Sequence, residues 1–303
     1  MRWIRAARLR TLPLALSGVV MGCGLALFHQ AFQLTVSLLA VVTATLIQIF
    51  SNFANDYGDG LKQTDNRYRL GPARAVQSGE IGKRELERGM AVVAGLSFVF
   101  GVWLVYEAVW ETSRIAFAAF VLIGVLALVA AYFYTAGRRA YGYIGLGDLF
   151  VFIFFGLVPV AGVFFLNTGA LPPDVFLPAV SMGLFSTGVL NLNNMRDVDN
   201  DRNSGKLTLP VRLGPGRSRV YHGLLIGCGW IAACAYAAIH WHSPWQWLFA
   251  ATLPLFLRDL ERVRRIRRAG DLDPFLKRLA LSTLAFTLLF CAGLLTANPL
   301  GGY

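Results

Sequence analysis

Two runs of asparagine and aspartate stand at the ends of hydrophobic segments: Asn55-Asp56-Tyr57-Gly58-Asp59, continuing to Asp65, and Asn193-Asn194-Met195-Arg196-Asp197, continuing to Asp201. The first reads N-x3-D-x5-D through Asn55, Asp59 and Asp65, the second N-x3-D-x3-D through Asn193, Asp197 and Asp201. On a helix, Asn193, Asp197 and Asp201 fall at i, i+4 and i+8 and share one face. Oxygen donors without His or Cys suit a hard cation such as Mg2+, which takes a few carboxylates and fills its other positions with water and phosphate oxygens. Zinc and iron would ask for nitrogen or sulfur. A single D-x3-D at a helix end is ordinarily a solvated cap or an i,i+4 partner for an arginine. Two asparagine-led copies at equivalent positions point instead to one metal site built twice, with Asn55, Asp56, Asp59, Asp65, Asn193, Asp197 and Asp201 as its ligands. Two such carboxylate sets facing each other repel unless cations bridge them, and a diphosphate is the natural occupant between two Mg2+ ions.

Basic residues follow the acids closely. Residues 205–214 carry Lys206, a point charge for a phosphate, and Arg212, a planar fork for phosphate oxygens. Residues 69–79 carry Arg69 and Arg74, and residues 134–139 bring Tyr134, Arg138 and Arg139 together. Any one of these cations alone would ordinarily be a topology charge. Their sharing of loops with the acids is what raises them.

The elements that must position these groups are apolar. The chain has 303 residues, 56% of them hydrophobic and 15% charged, and a mean hydropathy of +0.55. This is the composition of an all-α polytopic membrane protein. Nine transmembrane helices are expected, at about 11–29, 34–53, 89–108, 114–135, 145–166, 174–195, 220–240, 243–257 and 279–297. The eighth is short. Arg2, Arg5, Arg8 and Arg10 precede the first apolar stretch, but no small-residue cleavage site follows, so it reads as a span rather than a signal peptide. No separate soluble domain is expected, so residues 1–303 read as one membrane domain with active-site loops at about 54–88, 136–143 and 196–219.

A net charge of +11 raises nucleic acid or anionic membrane as a partner. Of the 28 Lys and Arg, all but Arg114 fall on the side of the N-terminus in the nine-span topology. That asymmetry makes this side cytoplasmic and puts the C-terminus on the opposite side. Dispersal of the charge over five juxtamembrane segments argues against nucleic acid. The cluster Arg262, Arg264, Arg265, Arg267 and Arg268 reads as an anchor on anionic lipid. Cys23, Cys228, Cys234 and Cys291 all fall in apolar spans as packing residues, and His29, His240 and His242 lie at the far surface. Trp241, Trp245 and Trp247 read as interfacial anchors there. Glycines inside the spans serve either close helix packing or the lining of a ligand tunnel.

With these residues in view, the chain resembles the UbiA superfamily of intramembrane aromatic prenyltransferases. Within it, the likeness is to the branch that acts on 1,4-dihydroxy-2-naphthoate in menaquinone biosynthesis. The second acidic motif resembles the superfamily's N-x3-D-x3-D. The six-residue step from Asp59 to Asp65 resembles the naphthoate branch, and residues 134–139 are similar to a Y-P-x-x-K-R loop, with Thr135 for Pro and Arg138 for Lys. Residues 10–13, 71–74 and 141–148 also resemble that branch.

The resemblance implies a UbiA-type helical bundle with a central cavity. It implies Mg2+-dependent transfer from a polyprenyl diphosphate to dihydroxynaphthoate with decarboxylation, giving demethylmenaquinone, at the inner membrane of the cell. Two Mg2+ ions would hold the diphosphate. Lys206 and Arg138 would act on the departing diphosphate, with Arg139, Arg212 and Tyr134 around it. Arg74, or Arg10, would orient the acceptor carboxylate, and Asp148 would take a hydrogen bond or proton from an acceptor hydroxyl. Tyr57, Tyr132 or Phe133 would face the allylic cation. Another aromatic acceptor, 4-hydroxybenzoate or homogentisate, is the alternative within the class. A cation transporter is the alternative outside it, disfavoured because transporters place ionisable groups near mid-span.

Overall fold

Apolar runs of this length can satisfy their backbone polar groups in hydrocarbon only by coiling into helices. The computed structural model describes residues 2–62, 70, 71, 74, 75, 77–137 and 140–297, and every regular element among them is helical. A short α1 (Arg2–Ala7) leads into α2 (Leu12–Phe28), α3 (Leu34–Leu61), α4 (Lys83–Val109) and α5 (Arg114–Phe133). Then α6 (Gly147–Phe152), a π-helical stretch (Ile153–Gly162) and α7 (Val163–Thr168) form one continuous rod. After it come α8 (Phe176–Arg196), the single turn-and-a-half α9 (Val198–Asn203), α10 (Leu209–Ile239), α11 (Leu253–Arg265) and α12 (Asp273–Ala297).

Eight helices among the described residues are long and apolar enough to cross a bilayer, so the chain is a multi-pass membrane protein. The ninth expected span, 243–257, folds as a 3-10 helix (Pro244–Thr252) running into α11, whose later residues are charged. Tighter winding suits a short segment. Wound as α throughout, 244–257 would reach about 21 Å; with its first part 3-10 it reaches about 25 Å, nearer to a hydrocarbon core of about 30 Å.

The structure lengthens two helices at the acidic end. α3 continues past residue 53 to Leu61, so Asn55, Asp56 and Asp59 ride on the helix instead of opening a loop. α10 begins at Leu209 and kinks at Gly214, whose φ of 78° no branched residue adopts comfortably, with Pro215 just after.

Glycines settle the packing question one by one. A Cβ on Gly18 would meet Pro159 at 2.8 Å, and one on Gly156 would meet the backbone of Gly183 at 2.3 Å. α2, the π-helical stretch and α8 therefore touch almost backbone to backbone, as small residues permit in membranes. Pro159 lacks an N–H and cannot continue an ordinary α ladder, which accounts for the wider winding around it. Gly101 and Gly162, by contrast, line a cavity.

The main core joins α2, α8, α10 and α12 through aromatic rings, with Phe286 within 5.3 Å, centroid to centroid, of Phe185, Trp230 and Phe249. Trp241 and Trp245 are exposed, as interfacial anchors should be, whereas Trp247 packs on this core. A second cluster docks α1 on α3, with Trp3 5.5 Å from Phe53. Between α3, α4, α5 and the π-helical stretch lies an apolar cavity of about 320 Å3. α5 has one fully buried residue, Ala130; several of its other residues form the cavity wall.

Candidate active site

The first motif is built on the last turns of α3. Asp56 and Asp59 are each 1% exposed, and a carboxylate held that deeply must be paired. Arg74 supplies much of the pairing: its Nη1 lies 2.7 Å from Asp59 Oδ2 and donates to the Asn55 carbonyl at 2.7 Å, while its Nε stands 3.7 Å from Asp56 Oδ1. Arg8 forms an ion pair with Asp56. It does so from a left-handed turn (φ 48°, ψ 57°) between α1 and the 3-10 turn Leu9–Thr11, a conformation costing a non-glycine residue about 1 kcal/mol. Tyr143 donates its hydroxyl to Asp59 Oδ1 at 2.8 Å. One helical turn earlier, Gln48 and Asn52 both donate to Thr11 Oγ1, at 3.0 and 3.1 Å, fixing the N-terminal arm against α3.

The second motif spans the junction of α8 and α9. Asp197 sits at the break with φ −96° and ψ 13°, yet the i to i+4 bonds continue across it, Asp197 N to Asn193 O at 3.1 Å and Asp201 N to Asp197 O at 2.8 Å. The stripe expected from sequence survives. Arg196, 1% exposed, forks onto both Asp197 oxygens at 3.0 and 2.6 Å and donates to Asn193 Oδ1 at 2.8 Å. Its other amino group pairs with Asp273 at the start of α12. Asp199 points away, 82% exposed beside Arg202.

Lys206 ties the halves together. It is 6% exposed, its Nζ is 3.9 Å from Asp201 Oδ1 and 5.5 Å from the centre of the Tyr143 ring, the ring whose hydroxyl holds Asp59. Burial pulls its pKa down, but the charges of Asp59 and Asp201 outweigh this and hold it above the ordinary lysine value. Lys62, at the end of α3, lies 3.9 Å over the same ring. Burial lowers its pKa, Asp59 opposes the change, and Lys206 adds to it.

Tyr134 borders the cavity, meeting Tyr141 edge-on at 5.4 Å. Burial pushes its hydroxyl up to about 12, so it stays a neutral donor. Tyr141 stacks on Phe150 at 4.0 Å, and Asn55 shares this mouth. The cavity thus meets the first motif at Asn55 and is otherwise walled mainly by apolar residues. The aromatics expected at the reacting carbon are others: Tyr57 bonds Glu87 on the exposed side at 2.6 Å, Tyr132 packs in the second core cluster and Phe133 is 46% exposed. Tyr134, Tyr141, Phe150 and Phe154 line the cavity instead.

Asp148 is buried at the start of α6 and accepts from Tyr221 at 3.0 Å. Arg212 lies on the exposed side and holds the carbonyls of Leu207 and Ile144, at 3.1 and 2.8 Å, so it braces two loops rather than joining the acids. Arg10 is exposed. Asp65, Arg69, Arg138 and Arg139 lie outside the described residues. Sequence reasoning missed Arg8, Arg196 and Tyr143 as functional groups. Arg196 carried a signal, since it adjoins Asp197 and stands three residues from Asn193.

The donor set fits Mg2+. It is all oxygen, and among the described residues no group of three or more His, Cys, Asp or Glu side chains converges into a closed metal cage. An ion that binds through one or two carboxylates and completes its shell with water and phosphate oxygens needs no such cage.

The UbiA prenyltransferase family matches residues 15–284. A 1,4-dihydroxy-2-naphthoate octaprenyltransferase of Escherichia coli (strain K12) is 40% identical over 96% of this chain and 94% of its own length. One of Mycobacterium leprae is 36% identical over 98% and 97%. Among solved structures, the apo form of a UbiA homolog from Aeropyrum pernix K1 superposes with a TM-score of 0.66 at 18% identity, covering 95% of this chain and 96% of that one. A UbiA homolog from Archaeoglobus fulgidus bound to DMAPP and Mg2+ gives 0.62 at 15% identity, covering 96% and 99%.

Proposed function

This chain belongs to the UbiA prenyltransferase family, and from that premise we propose that it transfers a polyprenyl group from polyprenyl diphosphate to 1,4-dihydroxy-2-naphthoate. The observation that carries this reading is the convergence of two buried acidic motifs on Lys206 and Tyr143, beside an apolar cavity that Asn55 of the first motif helps to line. The near full-length likeness to dihydroxynaphthoate octaprenyltransferases gives the acceptor.

Asp56, Asp59, Asp197 and Asp201, with Asn55 and Asn193, would hold two Mg2+ ions, and Asp65, outside the described residues, would belong to the first set. When bound, Mg2+ supplies neutralisation of the charge that gathers on the leaving diphosphate. Lys206, whose cationic form is favoured by Asp59 and Asp201, adds a positive charge at the same place. The prenyl chain lies in the cavity, its first carbon near Tyr134 and Tyr141, whose ring faces favour positive charge. The allylic C–O bond breaks with its electron pair going to the diphosphate. The ring carbon that bears the carboxylate forms the new C–C bond, and its bond to the carboxylate then breaks with release of CO2, returning that electron pair to the ring and restoring aromaticity. Arg138 and Arg139 act on the diphosphate, Arg74 on the acceptor carboxylate and Asp148 on an acceptor hydroxyl. The excess of Lys and Arg on the N-terminal side supports a cytoplasmic orientation for these loops, the membrane in this reading being the inner membrane of the cell.

The test is one competition. Purified protein receives a polyprenyl diphosphate, Mg2+ and equal dihydroxynaphthoate and 4-hydroxybenzoate. Prenylated naphthoquinol with released CO2 is expected. A prenylated benzoate would reassign the acceptor, and ion flux in proteoliposomes without any prenylated product would move the chain to the transporter class.

A further inference from the structure

The acids of this site are already answered without any metal. Asp56 pairs with Arg8, Asp59 with Arg74, Asp197 with Arg196, and Asp201 has Lys206 at 3.9 Å. Among the described residues the cluster therefore carries about as many positive as negative groups. A dication arriving alone meets little net attraction and must displace cations that are hydrogen-bonded in a low-dielectric setting. A dication arriving with a diphosphate brings its own counter-charge.

Arg196 is where this balance can be moved. It is among the largest fully buried side chains of the protein, and its fork occupies both oxygens of Asp197, the carboxylate at the centre of the second motif. It also holds a second carboxylate in reserve. Asp273, whose side chain is 36% exposed, pairs with Nη1 at the N-terminal end of α12, where the helix dipole favours a negative charge. If Asp197 turns toward a metal ion, Arg196 still has Asp273 and is not left as a buried lone cation, which would be prohibitive.

We infer that Arg196, shared between Asp197 and Asp273, is a counter-charge that makes metal loading of the second motif depend on the diphosphate. It is a positioning residue that touches neither substrate nor reacting atoms. The inference rests on the proposed function above, because the diphosphate is taken from that reading. In the resting site Arg196 holds Asp197 and Asn193 in place; when the Mg2+-diphosphate pair enters, Asp197 passes to the metal and Arg196 keeps Asp273.

The experiment measures Mn2+ binding by electron paramagnetic resonance to the full chain in nanodiscs, with Mn2+ alone and with Mn2+ plus farnesyl thiolodiphosphate. Wild-type protein should bind Mn2+ at least about tenfold more tightly with the diphosphate analogue than without it. Arg196→Gln should tighten binding of Mn2+ alone, whereas Asp273→Asn, a half-exposed change that leaves the core intact, should weaken it. Arg196→Lys keeps the charge but loses the fork, and should behave nearly as wild type. If Arg196 merely glued α8 to α12, Arg196→Gln would loosen the motif and weaken Mn2+ binding, and Arg196→Lys would follow it; that result overturns the inference. Equal wild-type affinity with and without the analogue overturns the inference alone. No Mn2+ binding in either condition overturns both it and the proposed function.

Discussion

At the end of α3, Asp56 and Asp59 are met by groups from far along the chain: Arg8 is 48 positions from Asp56, and Tyr143 is 84 from Asp59. At the end of α8, Asp197 is held by the adjacent residue, and Asn193 by one three positions on. The motifs share a formula but not a way of being neutralised. The first is assembled by tertiary structure and depends on the N-terminal arm and on the loop after α5 reaching it. The second is built largely within one helix turn around Arg196, to which Asp273 is brought from elsewhere in the chain.

The sharpest way to break the comparison is to remove one central carboxylate from each motif. Asp59→Ala and Asp197→Ala should each lower Mg2+-dependent prenyl transfer in membranes by at least about 10²–10³-fold, the scale for losing a main electrostatic element of a reacting site. Both motifs then count equally in chemistry despite their different construction. Substantial turnover in either variant would remove that motif from the diphosphate site.

The same contrast explains what could be read from the amino-acid sequence. The stripe Asn193, Asp197, Asp201 follows from helix periodicity alone and survives even the break at Asp197. The eight long apolar helices follow from hydropathy. Arg8 could not be found this way, because its role depends on a left-handed turn at a non-glycine residue. Nor could the extension of α3 to Leu61: hydropathy stops at residue 53, while the helix continues through polar residues because Thr11, Arg8 and Arg74 satisfy them from outside. The aromatics of the cavity are hidden for a related reason. Helices that are apolar all round do not disclose which face looks inward, so nothing in the sequence separates Phe150 and Phe154 of the cavity wall from lipid-facing rings.

If the first motif depends on distant partners, removing them should cost stability more than it does in a locally built site. Arg74→Ala leaves Asp56 and Asp59 without their shared arginine and the Asn55 carbonyl without its donor. Breaking a buried pair of this kind costs about 3–5 kcal/mol. Thermal unfolding in detergent should show a clear fall, with much of it recovered when Asp59→Asn is added. Arg8→Ala should cost less, because Arg8 is 19% exposed and Asp56 keeps Arg74 nearby. Equal losses for the two arginines would mean that the arm supports the first motif as much as Arg74 does.

Tyr143→Phe asks a narrower question. It removes the hydroxyl that donates to Asp59 but keeps the ring beneath Lys62 and Lys206. A hydrogen bond to a charged group contributes about 1.5–3 kcal/mol, so kcat/KM should fall by about ten- to a hundredfold while Asp197-side properties, such as the effect of Arg196→Lys, stay unchanged. An unaltered rate would show that the ring alone links the halves.

The smallest expected effect separates the two lysines that share that ring. Lys62 follows the first motif and Lys206 the second, yet their proton affinities move in opposite directions. Burial lowers the pKa of Lys62, whereas at Lys206 the charges of Asp59 and Asp201 overcome burial and raise it. As pH rises, Lys62 gives up its proton below the ordinary lysine value of 10.5, while Lys206 retains its own beyond it. The protonated form is the one that attracts diphosphate, so the rate should decline at alkaline pH on the titration of Lys62. Lys62→Arg places a charge there that does not titrate in this range, and should flatten the alkaline limb with only a modest change in the plateau. Lys206→Arg should leave the limb where it was, whatever it does to the plateau. A limb that moves with Lys206→Arg and ignores Lys62→Arg would mean that the locally built motif, not the distantly assembled one, sets the proton dependence of the site.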